Sequence, residues 1–472
     1  MRILCALLIY LVLTASPASA LEVAVLLKAK ASQCVISGTE MTLADAAGKS
    51  SEPQTGQLAV TYSGGTASCA GESYILPVTV FSQAPFSFEG RTYCGALTLD
   101  EAGGFFNIAN KIEIEEYLKG VLKTEMNPKW PAEALKAQAV LARTYVISSA
   151  KHGKYNACAT THCQGYAGVV NDAAITEAVA ATASEVLTYG GAAAQVFYFG
   201  DSGGATASAK SVWGKDIPYL VSRPEPLGAA NSSGAWQASL AMSRIAANLT
   251  AAGVPVGTLT SLRVCARDES GRATQIEASG SAGQTLIAAS KFRAAIGYSV
   301  IKSTLFDFSA QPAFAQPAPI YAQPTAQQPP RGQKVYPNPD RTTMPQKAED
   351  RLVWMAKNKI FTTAELMSMI GREKDYPKFI AEGEARMSGK KMPEPQTAAQ
   401  PAPVYQPQPP VQPQLSGTNA ATGDTVVIMG RGSGHGVGMP QLGAKALAEA
   451  GWDYRRILEY YFPGTTLERG TL

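Results

Sequence analysis

Apolar positions recur with a helical period through one central stretch, YLKGVLKTEMNPKWPAEALKAQAVLARTY, from Tyr117 to Tyr145. Ile114, Tyr117, Leu118, Val121, Leu122 and Met126 share one side of a helix predicted over 113–126. Glu125 follows Val121 by four residues and Leu118 by seven, so its carboxylate falls on that same apolar side. Glu115 and Glu116 sit in the first turn, where negative charge meets the positive end of the helix dipole. Asn127-Pro128 stops the helix, and Pro131 opens a second one, predicted to reach Ser149. That second helix should bury Leu135, Ala139, Ala142 and Val146, with Gln138 and Tyr145 on the same side and Arg143 on its flank. Gln138 then either meets Glu125 across the helix pair or shares a groove with it.

Residues 21–108 read as β-rich, with strands over 21–27, 74–81 and 105–108 separated by Gly, Ser and Asn clusters. After the helix pair, a third helix is predicted over 172–189, stopped by Gly190-Gly191. A strand over 195–199, the turn Asp201-Ser202-Gly203-Gly204 and a hairpin over 262–267 and 273–278 follow. A helix at 291–296 and a strand at 299–308 close this region, a core of 109–308. Composition then shifts. Two Pro/Gln tracts within 309–417 share a repeat, AQPAPIYAQP and AQPAPVYQPQ, and read as extended linkers around a helical insert at 337–392. Inside it lie the helical runs 348–358 and 362–370. Residues 418–472 regain a folded pattern, with a strand at 425–429 and a helix at 453–461, but are too few for a core of their own. They are expected to complete the domain interrupted at Ser309. The fold class is α+β.

The 41 basic and 37 acidic residues nearly balance, at net +4, which gives no electrostatic case for nucleic acid. Arg2, the apolar run Ile3 to Leu13 and the triplet Ala18-Ser19-Ala20 read as a secretory signal peptide over 1–20 rather than a membrane anchor, for which the run is short, so the protein is expected in the periplasm or at the cell surface. Export permits disulfides, and Cys34, Cys69, Cys94 and Cys265 can pair in three ways.

Three constellations carry chemistry. A carboxylate withdrawn from water, as Glu125 would be, suits a general acid, because burial disfavours its ionised form. Glu133, Asp201 and Glu185 are candidate second carboxylates, and none has a spacing that compels a pairing. Two of the chain's three histidines fall with two cysteines in His152-x5-Cys158-x3-His162-Cys163. That set reads either as tetrahedral zinc ligands or as a Cys158–Cys163 disulfide beside incidental histidines. The third, His435, stands in a run with glycine at every second position from Gly430 to Gly438. The run does not fit a nucleotide-binding loop, so no nucleotide cofactor is expected. It lets backbone approach a ligand or another segment closely, with His435 either lining a groove or packed in a turn.

Together these motifs resemble the SpoIID/LytB family, stage II sporulation protein D and its relatives. The resemblance rests on the central stretch, on DSGG with the later VWG and PYL, on SGR in the hairpin, on KFRAAIG with IKSTLF, and on GRGSGHGVGMPQLGA with ILEYYFPGT. It covers about 88–308 and 426–467, leaving the Pro/Gln tracts and the insert outside. It implies a SpoIID-like core acting on peptidoglycan glycan strands. The activity implied is that of a lytic transglycosylase, cutting denuded strands between N-acetylmuramic acid and N-acetylglucosamine. Glu125, the glutamate of the family's EM motif, would protonate the glycosidic oxygen. It would then take a proton from the muramic acid C6 hydroxyl, leaving a 1,6-anhydro end. The resemblance assigns Arg143 of ARTY to substrate binding or to orienting Glu125. It places Gln138, Tyr145, Ser202, Gly203, His435 and Gln441 along the substrate path. It also favours a structural zinc on His152, Cys158, His162 and Cys163, with no catalytic cofactor. The alternative it carries is a non-catalytic wall-binding protein that modulates a cell-wall amidase. This sequence departs from the family at Ser433, where an aromatic often precedes GHG, and at Leu442, where many relatives have tyrosine.

Overall fold

The computed structural model describes residues 21–149, 152–227, 234–309, 344–345, 347–358, 360, 375–387, 421–422 and 424–470. The expected signal peptide, most of the Pro/Gln tracts and the helical run 362–370 lie outside them. The chain forms two units, one of Met1–Pro312 with Pro410–Leu472 and one of Ala313–Pro409.

The first unit is α+β and opens with a large β-sheet. Its strands run in the order Ala157–Cys158, Glu22–Ala31, Phe106–Glu113, Ala96–Glu101, Val78–Phe81, Gln33–Asp45, Gln54–Ser63, Thr66–Cys69 and Glu72–Ile75. Alternating buried residues such as Val23 and Val25, or Phe106 and Ile108, turn one face of it to the core. Phe106–Glu113 runs directly into helix α1, Ile114–Glu125, and Glu113 caps that helix by accepting from the Glu116 amide. Helix α2, Ala132–Ser148, follows after the proline elbow.

Helix α2 is not the one-sided helix the apolar spacing suggests. From Ala134 to Val146 every residue but Lys136 is buried. Ala139, Ala142 and Val146 join the core beneath the sheet, whereas Leu135, Val140 and Leu141 join a second core. Its many alanines allow neighbours to approach on both sides.

The third predicted helix is shorter than its pattern. Helix α3 covers Ala173–Ala181, capped by Asp172, and Glu185–Tyr189 is a strand. Its partner is distant: Glu185 to Thr188 pair antiparallel with Arg469 to Thr466. Gly190-Gly191 turns the chain into Ala192–Ala193 rather than ending a helix. The strand predicted over 195–199 shrinks to Tyr198–Phe199, which pairs in parallel with Met439–Pro440. Further on come α4 (Ala209–Trp213), α5 (Met242–Ala251) and α6 (Ala289–Ile296). The hairpin forms as Leu259–Arg267 with Ala273–Gly280. Of the strand expected over 299–308 only Phe306–Ser309 is extended.

Residues after the insert return to this unit. Thr425–Arg431 lies between Ala235–Ala241 and Phe306–Ser309. Helices α9 (Gln441–Glu449) and α10 (Tyr454–Tyr461) supply Leu447, Ile457, Leu458 and Tyr461 to the second core. Within the second unit, α7 (Ala348–Lys357) and α8 (Tyr376–Met387) bury Leu352, Met355, Tyr376 and Ile380 against one another. Among the described residues Cys34, Cys69, Cys94 and Cys265 are free thiols.

Candidate functional site

Glu125 ends α1 half-buried, on the side its spacing predicts. Each carboxylate oxygen accepts one hydrogen bond. The Gly165 amide donates to Oε1 at 3.0 Å, and Gln441 Nε2 donates to Oε2 at 3.2 Å. Both donors are uncharged, and both come from later in the chain, 40 and 316 residues beyond Glu125. Gly165 has no room for a side chain, since a Cβ there would lie 2.7 Å from Thr124 Oγ1.

The residues around Gly165 fix that amide. Gln164 is fully buried: its Nε2 donates to Tyr117 Oη at 3.3 Å and to the Ala142 carbonyl at 3.4 Å, and its Oε1 accepts from Tyr198 Oη at 2.8 Å. Burial, and secondarily the Glu125 charge, holds the Tyr198 phenol well above its ordinary pKa, so it stays a donor. Tyr166 is buried against Tyr117, with ring centroids 5.0 Å apart, and donates to Asn110 Oδ1 at 2.9 Å.

Immediately before Gln164 the four expected metal donors converge. His152, Cys158, His162 and Cys163 bring one ligand atom each to within 4.8 Å of one another. His152 Nε2 lies 3.2 Å from His162 Nδ1 and 3.1 Å from Cys163 Sγ. His162 Nδ1 lies 3.8 Å from Cys158 Sγ and 3.6 Å from Cys163 Sγ. Cys158 is held by the parallel pairing of Ala157–Cys158 with Val25 and Leu26, which anchors the loop to the sheet edge. This group can hold a metal ion, and its cysteines are free rather than bridged.

Of the other residues expected along a substrate path, Gln441 reaches Glu125 directly, through the bond to Oε2. Gln138 is fully buried, with neither amide atom hydrogen bonded. Arg143 is also buried, and its donors are committed. Nε reaches Glu115 Oε1 at 2.9 Å, Nη2 pairs with Glu115 Oε2, and Nη1 donates to the Glu185 carbonyl at 2.9 Å. An arginine locked so is neither a groove lining nor a partner of Glu125. Tyr145 is buried with its phenol against Cys163.

Ser202 and Gly203 belong to a buried turn. Asp201 and Ser433 exchange backbone hydrogen bonds at 2.9 and 2.8 Å, and a Cβ on Gly203 would lie 2.9 Å from the Gly432 amide. The alternating glycines therefore admit another segment of the same chain. His435 packs beside Phe197, Phe199 and Trp213. The Val437 amide donates to its Nδ1 at 3.1 Å, so the neutral ring carries its proton on Nε2, 3.1 Å from the Tyr198 carbonyl. His435 is thus held in a turn by packing and hydrogen bonds while remaining half-buried. The candidate second carboxylates are engaged elsewhere. Glu133 holds Lys136 and the Tyr454 amide; Glu185 holds Tyr454, Arg455 and Arg469; Asp201 accepts from the Gly203 amide.

Spacing alone did not single out Gln164, Gly165 or Tyr198. The available signal was a glutamine and a glycine directly after the His-Cys pair.

Residues 102–189 match the model of the SpoIID family, described as stage II sporulation protein. The amidase enhancer of Bacillus subtilis is 27% identical over 353 residues, 74% of this chain and 40% of that protein. Stage II sporulation protein D of the same organism is 34% identical over 134 residues, 24% of this chain and 39% of that protein. An uncharacterized protein of Brachyspira hyodysenteriae is 37% identical over 144 residues, 29% of this chain and 39% of that protein. The chain thus spans about two fifths of the length of each relative. The segment 102–189, which is similar to the SpoIID family, contains both Glu125 and the four metal donors.

Proposed function

We propose that this protein is an exported peptidoglycan lytic transglycosylase with Glu125 as its single acid/base. The observation that carries the reading is the carboxylate at the end of α1, half-exposed and gripped at both oxygens by neutral donors. The candidate second carboxylates are committed to other partners. A hydrolase needs a second carboxylate to activate water or to attack the sugar. A transglycosylase does not, because the C6 hydroxyl of the muramic acid is the nucleophile. Glu125 gives its proton to the glycosidic oxygen as the bond to the anomeric carbon breaks. The carboxylate then takes the C6 hydroxyl proton as that oxygen closes on the anomeric carbon. The Gly165 and Gln441 donors hold the carboxylate in one orientation through both transfers.

The metal group supports a structural zinc. A tetrahedral zinc with Zn–N near 2.0–2.1 Å and Zn–S near 2.3 Å has edges of about 3.3 Å between nitrogens and about 3.6 Å between nitrogen and sulfur. The recorded nitrogen–nitrogen contact is 3.2 Å, and the nitrogen–sulfur contacts run from 3.1 to 3.8 Å. When bound, such an ion would act as a crosslink of the loop, since four protein ligands leave no open position for substrate.

The test is purified protein on denuded glycan, read by mass spectrometry. Fragments with 1,6-anhydro ends, abolished in Glu125→Gln, are expected. Glycan binding without product on denuded or peptide-bearing strands would sink the assignment. A second reading, a non-catalytic amidase enhancer acting on a cell-wall amidase, is favoured by the wider similarity to the amidase enhancer, 74% of this chain against 24% for the sporulation protein. It expects no glycan product and a faster amidase in a mixed assay.

A further inference from the structure

We infer that Gln164 is a positioning residue for Glu125, acting through the backbone amide of Gly165; the inference rests on the proposed role of Glu125. Gln164 is the point where three elements meet. Its amide nitrogen serves Tyr117 of α1 and the Ala142 carbonyl of α2, and its oxygen receives the Tyr198 phenol. A primary amide is the side chain that offers two donors and an acceptor in one plane without charge. Glutamate would set a carboxylate against the Ala142 carbonyl, and methionine would leave the Tyr198 hydroxyl unpaired. Both neighbours of Gly165 are thus buried and anchored, Gln164 as above and Tyr166 through Asn110 and Tyr117. Between them the peptide of Gly165 has one place to go, against the end of α1, where the missing Cβ lets it come within 3.0 Å of Glu125 Oε1. Gln164 is not a catalytic residue, because no recorded contact joins its side chain to the carboxylate.

The experiment compares Gln164→Met, similar in length and uncharged, with the full-length wild-type chain. Three readouts are taken: kcat and KM on denuded glycan, bound metal per chain, and hydrogen exchange at the Gly165 amide by NMR. Expected are a fall in kcat of about tenfold or more with KM within about twofold, unchanged metal content, and a clear loss of protection at Gly165. Unchanged Gly165 protection, or unchanged kcat with Gly165 released, would overturn the inference. A parallel fall in metal content would also overturn it, since that marks general loosening of the loop. Should Gln164→Met fail to fold, Tyr198→Phe removes one of the three contacts and must move kcat and Gly165 protection in the same direction. If wild-type protein cuts no glycan, the proposed function fails, whereas the exchange measurement still reports whether Gln164 fixes the Gly165 amide.

Discussion

Glu225 offers a sharp test of the physical reading of the fold. Its stem is half-buried, but its Oε1 is sealed from solvent without a partner, and its Oε2 accepts from Tyr461 Oη at 3.0 Å. Burial pushes its pKa up from 4.5 to about 7, with the Asp201 charge adding to the rise and the nearby Ser202 and Tyr461 hydroxyls opposing it. Between 4.5 and 7 the folded chain therefore holds a proton that the unfolded chain has released. Stability should fall as pH rises through that window and level off above it. A rise of this size, at about 1.4 kcal/mol per unit, corresponds to about 3 kcal/mol. Glu225→Gln keeps the shape of the protonated side chain, with an oxygen for Tyr461 and no charge to bury. The variant should match wild type near pH 4.5 and exceed it by about 3 kcal/mol at pH 8, roughly 5 °C in midpoint for a unit of this size. The assay is thermal unfolding from pH 4 to 9, followed by circular dichroism. Parallel pH profiles for the two proteins, or a variant less stable at pH 8, would refute the argument that burial dominates at this carboxyl.

Arg143→Ala should lower stability by about 3–5 kcal/mol, because it strands Glu115 beside a buried void. Arg143→Lys should recover only part of that, since an ammonium cannot hold both carboxylate oxygens; a changed KM in folded Arg143→Lys protein would restore a substrate role. Gly430→Ala would place a Cβ 2.2 Å from the Trp236 ring, whose Nε1 donates to the Gly432 carbonyl at 3.0 Å. A loss of about 1–3 kcal/mol in denaturant unfolding is expected, and a neutral result would mean the ring can move aside freely. Purified protein should carry one zinc per chain by elemental analysis, reduced in Cys158→Ala. Metal-free protein with a Cys158–Cys163 bridge would refute the site.

How far the sequence reached depended on how local each signal was. Helices α1 and α2 were legible because their Asn127-Pro128 stop, the Pro131 start and their apolar spacing lie within a few residues of what they specify. The same holds for the metal loop, whose four donors sit within twelve residues. The local pattern predicts helix at Glu185–Tyr189 because Val186 and Leu187 extend the spacing of α3, while the strand partner that decides the matter lies at 466–469. Arg143 was misplaced for a related reason. Its flank position is visible, but Glu115, which claims its guanidinium, stands on the preceding helix. The alternating glycines marked a close approach correctly without naming what approaches. Gln138 shared the apolar side as read, and that side proved to be closed.

The bond from Gln441 to Glu125 joins positions 316 residues apart. The carboxylate therefore gains its Gln441 donor only once the segment beyond the insert has been synthesised and has docked. A nascent or clipped chain lacking that segment would leave Oε2 without its Gln441 donor. The order of synthesis thus delays completion of the donor set around Glu125.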